Sequence, residues 1–451
     1  MLCKNEETII KITDVTQEGS GVGRAGETAV FVPGTAAGDV IRAKIVKVRP
    51  RFCYGISKEI LTASPDRCEP DCAAFPRCGG CTLRHISYEA ELRLKAGWVR
   101  ETMRRVGGVA EEPEEILPSP QTEGYRNKAI YPIAMQDGRL RIGFYAKRSH
   151  RIEEGDGCRL HPPFFSEIVR AVRGWIEQNG VSVYDETTHK GLVRALFLRY
   201  GEKTGQTMAC IIANGTRLPA ERELIGCLRR VRPELCSVVL NVNRERTNVL
   251  LGRECRTLFG ADTIEDELCG LRFSLSPLSF YQVNRAGAER LYRLAAEFAD
   301  LKKGETLLDL YCGAGTIGLT MAKDAGSLIG VEIVPQAIEN ARQNAEKNGV
   351  SNARFLCEDA ADAARQLEEE RISPDAVIVD PPRKGLDSGL IATIARMAPS
   401  RVVYVSCNPA TAARDAAVFL QHGYRTVRIR PVDLFPRTGH VETVLLLCRE
   451  G

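Results

Sequence analysis

Apolar and polar positions alternate over residues 9 to 60 in short runs, Ile10 to Val15, Ala29 to Val32, Val40 to Val48 and Phe52 to Ile60. Turn signals at Gly19, Gly21, Gly23 and Pro33-Gly34 separate them, which predicts a small all-β barrel. Between 84 and 106 the period lengthens to that of an amphipathic helix, with Leu92, Leu94, Trp98, Val99 and Met103 inward. From about 125 to 262 strand-like runs such as Ile130 to Ala134, Leu192 to Arg199 and Ser237 to Asn241 mix with two helical stretches. After about 263 apolar runs at Thr306 to Leu310, Ser327 to Val331, Ala376 to Asp380, Val402 to Ser406 and Thr443 to Leu447 alternate with helical segments. That alternation predicts a doubly wound α/β domain. The expected units are therefore 1–61, a barrel; 62–262, a mixed α+β middle whose helix near 84–118 is placed to pack on the last unit; and 263–451, the α/β domain.

Composition narrows the class. A length of 451 residues, 44% of them hydrophobic, is more than one core absorbs. The opening MLCKNEETII carries charges where a signal peptide needs an apolar run, and no segment approaches the roughly 18 apolar residues of a membrane span. A cytoplasmic protein with no membrane partner is expected. Its sixteen cysteines are then expected to be thiols that bind metal, catalyse or fill core space. The net charge of +4 says little, but its distribution says more. Arg42, Lys44, Lys47, Arg49 and Arg51 form one acid-free run, and Arg139, Arg141, Lys147, Arg148 and Arg151 another. Such runs suit phosphate backbones and are expected on one face around a common pocket.

Chemistry concentrates in three places. Leu307 to Leu310 runs directly into Gly313, Gly315 and Gly318, glycines that let a ligand approach the backbone. As a bare G-x-G-x-x-G this also suits a dinucleotide, with Glu332 at the end of the next strand placed for a ribose in either case. Cys407 follows a hydrophobic strand in VVYVSCNP, at the carboxyl edge where open α/β sheets bind ligands. Cys72, Cys78 and Cys81 are spaced C-x5-C-x2-C beside Gly79-Gly80, an array that suits zinc or an iron-sulfur cluster. Cys68 extends it to C-x3-C-x5-C-x2-C, so that four local thiols are an alternative ligand set.

These motifs carry a resemblance that covers almost the whole chain. The barrel resembles the TRAM domain, an OB-like RNA-binding appendage. VEIVPQAIENARQNAEKNG, CEDA at 357–360 and DPPRKG at 380–385 resemble the strand-end motifs of class I S-adenosylmethionine methyltransferases. With FYQVN at 280–284, DLYCGAG at 309–315, SCNP at 406–409 and GHVET at 439–443, the chain is similar to the uracil-5 RNA methyltransferases. The barrel and cysteine array make it most similar to the branch acting on 23S ribosomal RNA.

The resemblance implies roles. Cys407 becomes the nucleophile that attacks uracil C6, and Glu442 the base that removes the C5 proton. Gln282, Tyr311, Glu332, Asp359 and Asp380 hold S-adenosylmethionine; Phe280 and Asp380 meet the target base. Cys72, Cys78, Cys81 and, well downstream, Cys158 hold a 4Fe-4S cluster. The implied partner is RNA, ribosomal RNA foremost, and DNA is not expected. Three rivals remain: an RNA-binding assembly factor without turnover, a transfer-RNA uracil-5 methyltransferase and a nicotinamide-dependent oxidoreductase.

Overall fold

The computed structural model describes residues 2–450. The first strands, Glu7–Val15, Ser20–Ala25, Thr28–Pro33, Val40–Val48 and Phe52–Thr62, close into a barrel. Alternation sets its inside: Ile10, Ile12, Val30, Val32, Ile41, Ala43, Ile45 and Cys53 are buried while their neighbours face outward. The glycines Gly21 and Gly23 are not turns, as their spacing suggested, but lie within the strand Ser20–Ala25. Both point inward, where a Cβ on Gly21 would stand 2.0 Å from Thr35 Oγ1 and one on Gly23 2.3 Å from Ile10 Cγ2. A barrel this small leaves no room for them.

The middle of the chain forms a seven-stranded sheet ordered Glu254–Gly260, Leu235–Val242, Thr207–Ala213, Val193–Tyr200, Lys128–Gln136, Arg139–Tyr145, Ile152–Glu154. Residues Val193–Arg199 and all of Thr207–Ala213 are buried. Helices Phe164–Gln178 and Glu221–Val231 share a core with residues of one face. Ala195, Phe197, Met208, Cys210 and Ile212 instead share a core with the hairpin Ile264–Leu268/Leu271–Leu275 and helix Arg285–Ala299. Covering both faces removes the alternation that a half-exposed sheet would show.

The last sheet runs Ala353–Cys357, Ser327–Glu332, Thr306–Leu310, Ala376–Val379, Arg401–Ser406, Glu442–Arg449, Tyr424–Val432, parallel up to Arg401–Ser406 and antiparallel thereafter. The helix between the second and first of these strands is Pro335–Lys347, with Pro335 at its first turn, Ile338, Ala341 and Ala345 buried, and Gly349 in the left-handed region just past its end. Helix Tyr88–Gly107 packs on helix Pro409–Gln421, and its Val99 and Met103 enter a core of the last domain. No helix among the described residues is long and apolar enough to cross a membrane.

Candidate active site

Cys407 is the residue after strand Arg401–Ser406, and Glu442 opens the neighbouring strand. Antiparallel register sets Ser406 opposite Thr443, so one step further Cys407 faces Glu442 across the sheet edge. Glu442 is 5% exposed and Cys407 half-buried. Asp380 follows strand Ala376–Val379 on the other side. Burial pushes the Asp380 carboxyl up to about 7. Burial, reinforced by Asp380 and opposed by Arg383, pushes Glu442 up to about 8. The Cys407 thiol is raised chiefly by burial, then by Glu442 and Asp380, while Arg383 favours its thiolate. The geometry therefore supplies a thiol, a buried carboxyl poised as a proton acceptor, and one cation to hold negative charge.

Local hydrogen bonds fix these groups. Asn408 donates from its side chain to Arg383 O at 3.2 Å, tying the two loops beside the thiol. Asp415, fully buried, receives Leu386 N and Tyr404 Oη, each at 2.7 Å, and so shapes the turn after Arg383. The segment before Glu442 is anchored from helix Tyr88–Gly107. Lys95 Nζ donates to Glu91 Oε1 and Asp433 Oδ1, each at 2.7 Å, with all three side chains fully buried. Arg437 N donates to the same Glu91 oxygen at 2.7 Å, and Thr82 N donates to Arg437 O at 2.9 Å. Gly439 lies so close to the barrel that a Cβ would come to 1.7 Å from Gln17 O.

Cys407 opens into a cavity of about 780 Å³ that no single unit builds. Gln17 and Tyr54 come from the barrel, Gly79 and Gly80 from the cysteine-rich loop, Lys147 and Arg148 from the middle sheet's hairpin, and Arg383 and His440 from the last domain. Only part of the expected basic surface reaches it. Arg42 pairs with Glu59, Arg141 with Glu154 and Arg151 with Glu153, so these cations are already engaged.

The residues expected to hold the cofactor lie apart from this cavity, several of them at the strand ends. Gly313 and Gly315 have φ of 56° and 79°, and Tyr311, with φ 68°, adopts the same left-handed region without being glycine. Such a backbone persists only where its surroundings enforce it, and it occurs at ligand-binding turns. Gly318 N donates to Asp309 Oδ2 at 2.9 Å, and a Cβ there would meet that oxygen at 2.6 Å. Burial lifts Asp309 to about 7, with Asp380 and Glu332 adding to it. Burial raises the Tyr311 hydroxyl, and Asp359 and Glu332 add to it. Glu332 accepts from Val334 N at 2.9 Å, and Asp359 caps helix Ala360–Glu369 through Ala361 N. Phe280 is 63% exposed, and Gln282 accepts on its carbonyl from Asn127. Neither lines the Cys407 cavity. Arg199, unmarked in the sequence, is buried and donates to Ser276 O and Ser279 O, each at 2.7 Å, fixing the loop that presents Phe280.

Cys72, Cys78, Cys81 and Cys158 line one further cavity of about 550 Å³, and Cys68 does not; its thiol donates to Arg84 O at 3.6 Å. Arg84, Arg126 and His161 line the same space, each with a buried nitrogen that has no partner. Among the described residues no group of three or more His, Cys, Asp or Glu side chains is arranged to hold a metal ion. The expected iron-sulfur site is thus not found as a metal-binding group among the described residues. The four thiols share this cavity with those nitrogens and with the carboxylates Asp71, Glu153, Glu154 and Asp156.

Comparison with known proteins agrees with this architecture. Residues 261–450 match the tRNA (Uracil-5-)-methyltransferase family, and residues 2–57 match the TRAM domain. An uncharacterized RNA methyltransferase of Clostridium tetani is 40% identical over 99% of this chain and 97% of its own length. One from Halalkalibacterium halodurans is 41% identical over 98% and 97%. The crystal structure of Pyrococcus abyssi tRNA (uracil-54, C5)-methyltransferase in complex with S-adenosyl-L-homocysteine superposes with a TM-score of 0.79 at 30% identity, covering 98% of this chain and 100% of that one. The fold and site define an S-adenosylmethionine-dependent RNA methyltransferase. The chain belongs to the uracil-5 RNA methyltransferase family with an N-terminal TRAM domain. The nicotinamide alternative is set aside by that membership. Since the Pyrococcus abyssi relative aligns over 98% of this chain, its likeness takes in the barrel too, and the barrel does not separate ribosomal from transfer-RNA enzymes.

Proposed function

We propose that the enzyme methylates carbon 5 of a uridine in ribosomal RNA through a covalent bond to Cys407. The observation that carries this reading is the register that faces Cys407, which lines a cavity of about 780 Å³, with buried Glu442. Carbon 5 of uracil is a weak nucleophile, so the thiolate of Cys407 adds to C6 and places the electron pair on C5. S-adenosylmethionine supplies the methyl group. Arg383 favours the thiolate before attack. Glu442 then takes the C5 proton; the C5–H electrons reform the C5=C6 bond, the C6–S bond breaks and the thiolate is released. A carboxyl pushed up to about 8 is a far stronger proton acceptor than an ordinary one. Gln282, Tyr311, Glu332, Asp359 and Asp380 are proposed to face the cofactor, and Phe280 and Asp380 the target base. Reaching C6 requires the base to be unstacked, which favours a loop or single strand.

The same reading assigns a 4Fe-4S cluster to Cys72, Cys78, Cys81 and Cys158. It is supported by their common cavity, by the absence of Cys68 from it and by the unpartnered Arg84 and Arg126 nitrogens. Such a cluster would take no part in methyl transfer; its ligands would link the loop 72–81, whose Gly79 and Gly80 line the Cys407 cavity, to the segment after the middle sheet's last strand. A cytoplasmic location for the enzyme is supported by the reading of its sixteen cysteines as thiols.

The Pyrococcus abyssi likeness favours transfer RNA as a second reading. Incubation of the protein and methyl-labelled S-adenosylmethionine with ribosomal or transfer RNA lacking 5-methyluridine, followed by nucleoside analysis, decides between them. Label in 5-methyluridine from ribosomal RNA alone supports the first reading. Label from transfer RNA alone replaces it with the second, and cofactor binding without label from either points to an assembly factor.

A further inference from the structure

The barrel carries a feature that neither closure of the barrel nor methyl transfer explains. Its outward positions are the ones that should be polar, yet Phe31, Phe52 and Tyr54 all lie there, since their neighbours Val30, Val32 and Cys53 fill the interior. Parallel pairing sets Phe31 beside Tyr54. The three rings contact one another, with centroids 5.5 Å (Phe31 to Phe52), 5.9 Å (Phe31 to Tyr54) and 5.5 Å (Phe52 to Tyr54) apart. Tyr54 is 40% exposed, and Phe31 and Phe52 are half-buried.

Two things say what covers this patch. It is continuous with the active site, because Tyr54 and the neighbouring Pro33 form one wall of the cavity into which Cys407 opens. It is also bordered by cations without counter-ions. Lys47 stands opposite Tyr54 in the adjoining strand, followed by Arg49 and Arg51, and all three are exposed. Lys147 and Arg148 line the same cavity. None of these five makes an ion pair among the described residues, whereas Arg42, Arg141 and Arg151 do. Aromatic faces interleaved with free cations bind single-stranded nucleic acid, by stacking bases and neutralising phosphates.

We propose that Phe31, Phe52 and Tyr54 are a base-stacking platform for the unpaired nucleotides that flank the target uridine, with Lys47, Arg49 and Arg51 on their phosphates. The platform rests on the reading of the Cys407 cavity as the uridine pocket. It would make the barrel a reader of single-strandedness next to the target rather than a general electrostatic anchor, favouring a uridine with an unpaired neighbour over one embedded in a helix.

The test uses the full-length protein with S-adenosylhomocysteine and a fluorescein-labelled oligouridylate of roughly 12 nucleotides. Anisotropy is measured across a salt series for the wild type, for the pair Phe52→Leu with Tyr54→Leu, and for Lys47→Gln. Leucine keeps the barrel's apolar cover but removes the π-face. The leucine pair is expected to bind about tenfold more weakly with an unchanged salt slope, because stacking releases no counter-ions. Lys47→Gln is expected to lower the slope by about 0.7. Binding by the leucine pair within about twofold of wild type, far short of the loss expected for even one stacked base, overturns the proposal. So that a misfolded variant does not decide the matter, wild-type protein is also photocrosslinked to the same RNA carrying 5-iodouridine. Adducts on Phe31, Phe52 or Tyr54 support the platform; adducts confined to other residues reject it. Formation of 5-methyluridine by wild-type protein is assayed separately, so failure of the methylation reading is told apart from failure of the platform.

Discussion

Two places in this molecule set thiols beside arginines, and the contrast between them shows how surroundings decide what a cysteine does. At the sheet edge Cys407 is, among the described residues, the one thiol of its cavity, beside the partly buried carboxyl of Asp380, the buried carboxyl of Glu442 and the cation of Arg383. At the second place Cys72, Cys78 and Cys81 of the loop 72–81 and the downstream Cys158 line one space together with the partnerless buried nitrogens of Arg84, Arg126 and His161. A lone thiol among proton acceptors can form and release a bond to carbon. Several thiols facing one space are instead placed to share a cluster.

The sharpest way to break this contrast is to exchange the losses. Cys407→Ala is expected to abolish methylation while leaving bound iron at the wild-type level, and Cys158→Ala to lose the iron; elemental analysis beside the nucleoside assay reads both. Cys68→Ala should keep its iron, and if it loses it while Cys158→Ala does not, the ligand set is the four local cysteines. Next in size, Glu442→Gln should slow turnover by roughly 10²–10⁴-fold. It should also accumulate a protein–RNA adduct on a denaturing gel, since addition to C6 survives and elimination does not. Lys95→Met removes the buried cation that Glu91 and Asp433 share and should cost about 3–5 kcal/mol of stability in urea unfolding.

The smallest effect concerns pH. Glu442 has a folded value of about 8, above its unfolded value of about 4.3. The folded state therefore holds the proton more tightly, and stability from this group is present at low pH and lost as pH rises between those values. Glu442→Gln removes that loss, so the variant should melt higher than wild type at pH 8 and close to it at pH 4, as scanning calorimetry would show. Activity follows the opposite sign, because the deprotonated carboxyl is the useful form, and the methylation rate should climb as pH passes through about 8.

Much of this was legible in the chain. The five apolar runs of the last domain fall on sheet strands, and Pro335 and Gly349 bound their helix, because local propensity and burial act in the same direction there. The edge strands Ala353–Cys357 and Tyr424–Val432 were not read, since partly exposed edge positions give no continuous apolar run. Gly21 and Gly23 looked like turns because sequence does not distinguish a glycine that bends the chain from one that makes room inside a barrel. Motif resemblance named Cys407 and Glu442, but their opposition across the sheet depends on antiparallel register between distant strands. The cavity walls from Tyr54, Lys147 and Gly79, and the buried Lys95 with its two carboxylates, depend on how three units pack, which no local pattern encodes.

The central claim is that Cys407 bonds covalently to a uracil in RNA. Its most direct test is incubation with S-adenosylmethionine and RNA carrying 5-fluorouridine, where fluorine at C5 blocks the final proton removal. Digestion and mass spectrometry of the product should find a methylated fluorouridine on the Cys407 peptide, and none with Cys407→Ala. Cofactor binding without any adduct on ribosomal or transfer RNA, or an adduct on another cysteine, would contradict the account.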